Sequence, residues 1–224
     1  MERLLTTTDG SHTLFSERFG QAYHSAHGAL TESRRVYLEL GFEYVAGQNP
    51  PVRVLEMGFG TGLNALLTWM EAEKRGLPVQ YTALEAYPIG LEDVAVLNYD
   101  QVLKSNRLRA LHEAAWGEDV SLSEWFTLRK MATTLEEFCA DGERGSPVEE
   151  VDVIYFDAFG PRTQPELWTA EIFTALAKRL RSGGVLTTYS SKGSVRRALK
   201  QAGFTVEKHR GPPGKLEVVR AIKR

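Results

Sequence analysis

The sequence contains one cysteine, Cys139, in 224 residues. A single thiol excludes an intrachain disulfide and a zinc site built on several cysteines. It falls in the helical pattern Leu135-Glu136-Glu137-Phe138-Cys139 and reads as a packed thiol rather than a nucleophile. No apolar run approaches the roughly eighteen residues that cross a bilayer, and no charged-then-apolar leader opens the chain, so a cytoplasmic location without membrane contact is expected. Repeats and low-complexity segments are also missing. His12, His24 and His27 lie close together in sequence, but no carboxylate or cysteine pattern completes a ligand set, and no metal site is expected. What remains is ordinary for a globule: 42% hydrophobic and 25% charged residues, enough to bury the core of one α/β domain with a small appendage.

The formal net charge of −2 hides an asymmetry. From Lys178 onward there are thirteen Lys and Arg against two acids, Glu207 and Glu217, which leaves fourteen basic against twenty-seven acidic residues before it. A basic final fifth suits a polyanionic partner, although the same residues could simply solvate a helix and two strands.

The stretch that organises the chain is Arg53-Val54-Leu55-Glu56-Met57-Gly58-Phe59-Gly60-Thr61-Gly62-Leu63-Asn64. An apolar segment enters a glycine-rich turn and leaves it as a helix, which aims free N–H groups and a positive dipole end over the strand's carboxyl edge. A dinucleotide fingerprint is G-x-G-x-x-G. Here the glycines stand at 58, 60 and 62 behind Glu56, a spacing that resembles motif I of class I S-adenosylmethionine-dependent methyltransferases. After the breaker Gly76-Leu77-Pro78, a second strand, Val79-Gln80-Tyr81-Thr82-Ala83-Leu84, runs into Glu85. In a βαβ unit that carboxylate lies beside the ribose of an adenosine ligand. The alternative, an N-cap for the next helix, is weakened by Pro88, which already marks a helix start.

Along the chain, Thr13-Leu14-Phe15 and Ala22-Tyr23-His24-Ser25 predict a β-hairpin, and Thr31 caps a helix through Leu38. Residues 1–50 then form a lid-like extension, and residues 51–224 the main domain. Helices are expected over 88–97 and 103–116, one or two strands over 120–130, and a helix from Thr133 or Thr134 to Cys139. An exposed acidic loop comes next, over 141–150. Val151-Asp152-Val153-Ile154-Tyr155-Phe156 is continuous and apolar, as a central parallel strand should be, and ends at Asp157. A helix from Pro165 or Glu166 through Leu180, a strand over 185–190, a helix over 194–202 and a strand–turn–strand unit complete the pattern.

Several of these segments agree on one family. Met57 through Asn64, the step Glu85-Ala86-Tyr87-Pro88, Asp157-Ala158-Phe159-Gly160-Pro161 with Pro165-Glu166-Leu167-Trp168, and Gly193 through Leu199 followed by Ala202-Gly203-Phe204 resemble the MnmC-type tRNA methyltransferase domain. The similarity covers nearly the whole chain, including Glu32-Ser33-Arg34. It implies an α/β Rossmann-like class I methyltransferase fold, with a mostly parallel seven-stranded sheet and an antiparallel C-terminal hairpin. It also implies N-methylation of the aminomethyl group of 5-aminomethyl-(2-thio)uridine at the tRNA wobble position, with S-adenosyl-L-methionine as cofactor, the anticodon loop as partner and no obligate protein partner. Some members carry a fused FAD-dependent oxidase; with the chain stopping at Arg224, that activity is expected to be absent. Two departures stand out. The family often has a Gly-Asp step after the third main strand, where this chain reads Leu128-Arg129-Lys130-Met131-Ala132, and Gly160 stands where alanine is usual.

The cofactor set implied is Glu56, Gly58, Phe59, Gly60, Thr61, Gly62, Asn64, Glu85, Ala86 and Asp157, with Met131 an apolar neighbour in place of the acidic adenine contact. Asp157 is the candidate catalytic residue. An alkylammonium has no lone pair, so the enzyme must align a neutral amine, and Asp157 could accept its proton or hold it in line. An ordinary aspartate is a poor base for that task, which favours orientation with proton release to water; capping of the following loop is the structural alternative. Phe159 could stack on a splayed uridine with Pro161 beside it, whereas Trp168 shares helical spacing with Leu167 and Phe173 and reads as core. Arg196, Arg197, Lys200, Arg210 and Lys215 are candidates for a phosphate track, and Tyr23 and Arg34 for closing the cleft. The same fold acting on a small-molecule or protein amine, and a non-catalytic RNA-binding protein with a vestigial pocket, remain open. The glycine spacing disfavours a nicotinamide oxidoreductase.

Overall fold

The computed structural model describes residues 3–48, 50–143 and 150–224. Among them, eight strands form the main sheet and three more form a small antiparallel sheet ahead of it. The small sheet pairs β1 (Arg3–Thr6) with β2 (His12–Ser16) and β2 with β3 (Gln21–Ala22). The expected hairpin is therefore present, with a shorter second arm and an additional strand, β1. Asp9 ties the β1–β2 turn to the first helix, accepting from the Ser11 amide at 3.0 Å and from the Thr31 amide and hydroxyl at 2.9 and 2.8 Å. Thr31 is thus not the helix cap predicted: α1 (Ala29–Ser33) begins after Gly28, and the Thr31 hydroxyl is spent on Asp9. A π-helical run, Arg34–Phe42, continues α1 into α2 (Glu43–Val45).

The core of the main sheet is parallel: β4 (Val52–Met57) lies between β5 (Val79–Leu84) and β8 (Val151–Phe156), with β7 (Phe126–Met131) beyond β5 and β9 (Leu180–Thr188) beyond β8. The chain moves outward from β4 in one direction, then crosses to the other side, which leaves a crevice at the carboxyl ends of β4, β5 and β8. Antiparallel β10 (Phe204–Arg210) and β11 (Glu217–Lys223) close one edge, as the terminal hairpin predicts. The sheet has eight strands rather than seven because the stretch after residue 118 folds back at Glu124 and Trp125 into a hairpin, adding β6 (Asp119–Ser123) antiparallel to β7. The order across the sheet is β10-β11-β9-β8-β4-β5-β7-β6.

Alternation along the central strands feeds two separate cores. Val153 and Tyr155 belong to one, with Leu66 of α3 (Leu63–Arg75); Ile154 and Phe156 belong to the other, with Phe173 of α8 (Ala170–Arg179) and Leu199 of α9 (Gly193–Gln201). Helices therefore cover both faces, which a buried parallel sheet requires.

Elsewhere the helices are shorter than predicted. Residues 88–97 yield only α4 (Leu91–Val94), and 103–116 divides into α5 (Tyr99–Leu103) and α6 (Leu108–Glu113). Lys104 takes a positive φ of 53°, and Asp100 of α5 accepts from the Arg107 and Leu108 amides, so α6 starts afresh with its first amides held by the preceding helix. Thr134 caps α7 (Leu135–Glu143), receiving the Glu137 amide at 3.2 Å. The first residues of the acidic loop read over 141–150 close α7; 144–149 lie outside the described residues. The helix expected from Pro165 is a 3-10 turn, Pro165–Leu167, followed by a restart at α8, where the Thr169 side chain accepts from the Ile172 amide. Among the described residues no helix is long and apolar enough to cross a membrane.

Candidate active site

The strand register assembles the site. Met57 pairs with Leu84 on one side and Phe156 on the other, so Gly58, Glu85 and Asp157 stand side by side one residue beyond the sheet edge. The first turn of the loop is pinned by Gly58 and Phe59 amides donating to the Leu84 carbonyl at 3.0 and 3.1 Å. A Cβ at Gly58 would meet the Asp157 carbonyl at 2.9 Å, and one at Gly60 would meet the Tyr23 ring at the same distance, with both backbones at positive φ. Glycine is required here so that the loop can pass close beneath its neighbours.

Glu85 receives the Gly60 amide on Oε2 and the Tyr87 amide on Oε1, each at 2.8 Å. Burial raises its pKa, while the amides of Gly60, Tyr87 and Ala86 oppose that rise. Each oxygen keeps a lone pair, so a diol could still be bound by the carboxylate.

Asp157 is held at both oxygens. The Tyr37 hydroxyl donates to Oδ1 at 2.6 Å, and the Asn64 amide donates to Oδ2 at 2.8 Å. Asn64 also donates to Glu56 Oε1 at 2.9 Å, so one amide group links two carboxylates. Burial lifts the Asp157 carboxyl to about 7, with the Glu32 charge pushing the same way and Tyr37, Asn64 and Lys215 opposing. Glu56 lies fully buried beneath, and its pKa is also raised by burial.

Glu85 and Asp157 open onto a cavity of about 480 Å³. Of the predicted residues, Gly58, Gly60, Glu85, Ala86 and Asp157 line it, as do Tyr23, Phe159, Pro161 and Lys215. Phe159 stacks on Phe19 with ring centres 4.3 Å apart and an interplanar angle of 29°, and Tyr23 tilts against it at 5.3 Å. Glu56 and Asn64 do not line the cavity; the Asn64 amide joins Glu56 to Asp157. Phe59, Thr61 and Gly62 face away, toward α5 and α6: the Phe59 ring lies 5.0 Å from that of His112, Thr61 Oγ1 accepts from Tyr99, and a Cβ at Gly62 would meet His112 Nε2 at 2.9 Å. Met131 contributes its carbonyl to the Glu85 amide and does not line the cavity. Arg34 is exposed and also off the cavity wall, while Arg196, Arg197 and Lys200 lie on α9 outside it. Trp168 is core, 6% exposed, with its indole N–H donated to the Phe159 carbonyl at 2.9 Å.

Three residues beyond the predicted set shape the site. Tyr37 holds Asp157; Glu32 and His24 line the cavity wall, with His24 buried and its imidazole lowered to about 4 by desolvation. Their signal in the sequence was faint: Val36, Tyr37 and Leu40 form a buried stripe, and a tyrosine in such a stripe calls for a hydroxyl partner.

Comparison with known proteins identifies relatives of the chain. A family model described as S-adenosyl-L-methionine-dependent methyltransferase matches residues 107–224. Two curated relatives are bifunctional proteins named tRNA 5-methylaminomethyl-2-thiouridine biosynthesis protein MnmC. The one from Paracidovorax citrulli is 34% identical over 216 residues, covering 93% of this chain and 34% of the relative. The one from Aromatoleum aromaticum is 32% identical over 249 residues, covering 99% and 35%. The chain thus spans about a third of the length of these relatives. Among solved structures, MnmC2 from Aquifex aeolicus superposes with a TM-score of 0.77 at 24% identity, covering 99% of this chain and 70% of that one. Spermidine synthase from Thermotoga maritima superposes with a TM-score of 0.58 at 14% identity, covering 98% and 72%. Both share the fold.

Proposed function

The chain belongs to the S-adenosyl-L-methionine-dependent methyltransferase family, and from that premise we propose that it methylates the primary amine of 5-aminomethyl-(2-thio)uridine at the wobble position of tRNA. The observation that carries this reading is the pairing of Glu85 and Asp157 across the glycine loop at one cavity, with Asp157 lifted to about 7. The glycine cradle, closed to any Cβ, and the free lone pairs of Glu85 fit an adenosine-bearing sulfonium. When bound, S-adenosyl-L-methionine supplies an electrophilic methyl group.

The protein's own residues do the rest. Gly58 and Gly60 present backbone, and Glu85 accepts from the ribose hydroxyls. Asp157 takes a hydrogen bond from the substrate amine on the lone pairs that Tyr37 and Asn64 leave free. A carboxyl near 7 takes up a proton from an amine far more readily than an ordinary aspartate, so Asp157 serves as proton acceptor as well as anchor. Phe19, Tyr23 and Phe159 exclude water over the loop, with residues 1–50 acting as the lid. The basic face of α9, with Arg196, Arg197 and Lys200, receives tRNA phosphates. The names of the curated relatives support the substrate.

The test is incubation with radiolabelled donor and tRNA lacking the modification, followed by nucleoside analysis. Label in 5-methylaminomethyl-(2-thio)uridine is expected, and Asp157→Ala should lose about a hundredfold or more in rate. Transfer to RNase-digested substrate at an undiminished rate, or full turnover by Asp157→Ala, would overturn the assignment.

A further inference from the structure

A third carboxylate in the cavity is paired with a cation. Glu32, in α1, lines the wall with only 7% of its side chain exposed. Its Oε1 accepts from the Ser25 amide at 3.2 Å, and its Oε2 meets Lys215 Nζ. The lysine reaches in from the turn between β10 and β11, its ammonium 4.0 Å from the centre of the Tyr189 ring. That turn is seated on the opposite end of the chain: a Cβ at Gly214 would run into the His27 ring. Among the described residues, Glu85 and Asp157 take their hydrogen bonds from amides and a hydroxyl, and Glu32 is the cavity carboxylate that a cation occupies.

A carboxylate and an aromatic face around one ammonium is the arrangement that recognises a protonated alkylamine. The Lys215 head group is a primary alkylammonium, the same chemical group that an aminomethyl substrate carries in water. Glu32 keeps its position without the lysine, because the helix and the Ser25 amide fix it, whereas Lys215 is a long side chain with 24% of its surface exposed. Lining the same cavity, the pair also acts electrostatically on Asp157 from both signs.

We propose that Glu32 and Tyr189 form the subsite that first receives the substrate's alkylammonium, and that Lys215 holds this place until the substrate displaces it. The inference rests on the methyl-transfer reading for its substrate. Glu32 binds the charged amine, and the neutral amine forms when a proton passes to Asp157 or water. Lys215 is then a gatekeeping residue inside the cavity rather than a member of the phosphate track.

The test compares Glu32→Gln, Lys215→Met and the double variant, with donor affinity and thermal midpoint as checks on folding. Glu32→Gln should raise KM for unmodified tRNA by roughly ten- to a hundredfold, the value of one lost charge-assisted contact, with donor affinity kept. Lys215→Met should bind methylammonium about tenfold or more tightly than the parent, in calorimetric titration, and be inhibited by it competitively with tRNA. The double variant should lose that gain. A rise in KM for Lys215→Met with a shallower salt dependence would make it a phosphate contact and overturn the proposal, as would an unchanged KM in Glu32→Gln. If Glu32→Gln fails to fold, Lys215→Met decides the matter through methylammonium alone. If the parent transfers no methyl to tRNA, the substrate assignment fails while the methylammonium titration still judges the subsite.

Discussion

Replacing Tyr37 by phenylalanine removes one oxygen and should move the proton affinity of Asp157. The ring is buried, 2% exposed, and tilts against Tyr155 at 5.3 Å, so phenylalanine fills the same space. What is lost is the 2.6 Å hydrogen bond to Oδ1. A hydrogen bond to a charged acceptor contributes about 1.5–3 kcal/mol, and about 1.4 kcal/mol corresponds to one pH unit. Because the bond stabilises the charged form, its loss raises the carboxyl from about 7 to roughly 8–9. At pH 7 the ionised fraction then falls from about half to roughly a tenth or a hundredth, and kcat/KM should fall by roughly five- to fiftyfold. Above about pH 10 the carboxylate is fully formed in both proteins and the rates should converge. The direct assay is a carbon-13 NMR titration of labelled aspartate carboxyls, with the Asp157 signal assigned by Asp157→Asn. The kinetic assay is the pH profile of kcat/KM in parent and variant on one tRNA, which cancels the substrate's own ionisation. An unmoved Asp157 titration, or an equal loss at every pH, would refute the reasoning.

Glu85→Ala removes the acceptor proposed for the ribose and frees the Gly60 amide it holds, so donor affinity by calorimetry should weaken by about tenfold or more. Trp168→Ala deletes a buried indole that packs edge-on to Phe156 at 4.8 Å, and thermal or urea unfolding should register a loss of about 3–5 kcal/mol. Replacing Arg196, Arg197 and Lys200 together by alanine should leave donor affinity unchanged and flatten the salt dependence of tRNA binding, with a log–log slope smaller by roughly two to three.

The loop, its strand and the two flanking acids were legible because each is encoded within a few residues: glycine at fixed spacing, a buried apolar strand, a carboxylate at the strand's end. The eighth strand was not, since period-two alternation over 120–130 is compatible with one strand or a folded pair until the turn at Glu124 and Trp125 is known. Helix lengths in the 88–116 stretch misled because Asp100 resets the chain locally through contacts five to eight residues on. Tyr37 and Glu32 were obscured for a different reason. Asp157 and Lys215, the partners that bring them to the site, lie 120 and 183 residues away, so nearby sequence does not mark these pairings. The unusual basicity of Asp157 has the same origin, since burial is a property of the folded wall rather than of the Asp-Ala-Phe step.

The seating of Gly214 on His27, with Lys215 reaching Glu32, brings early and late parts of the described chain together at the cavity. Its walls run from Phe19 to Lys215. No fragment shorter than residues 19–215 contains them all, so a proteolytic piece that kept the whole glycine loop but lost either end would lack part of the wall. Donor retention after limited proteolysis therefore reports on the integrity of both extremities at once.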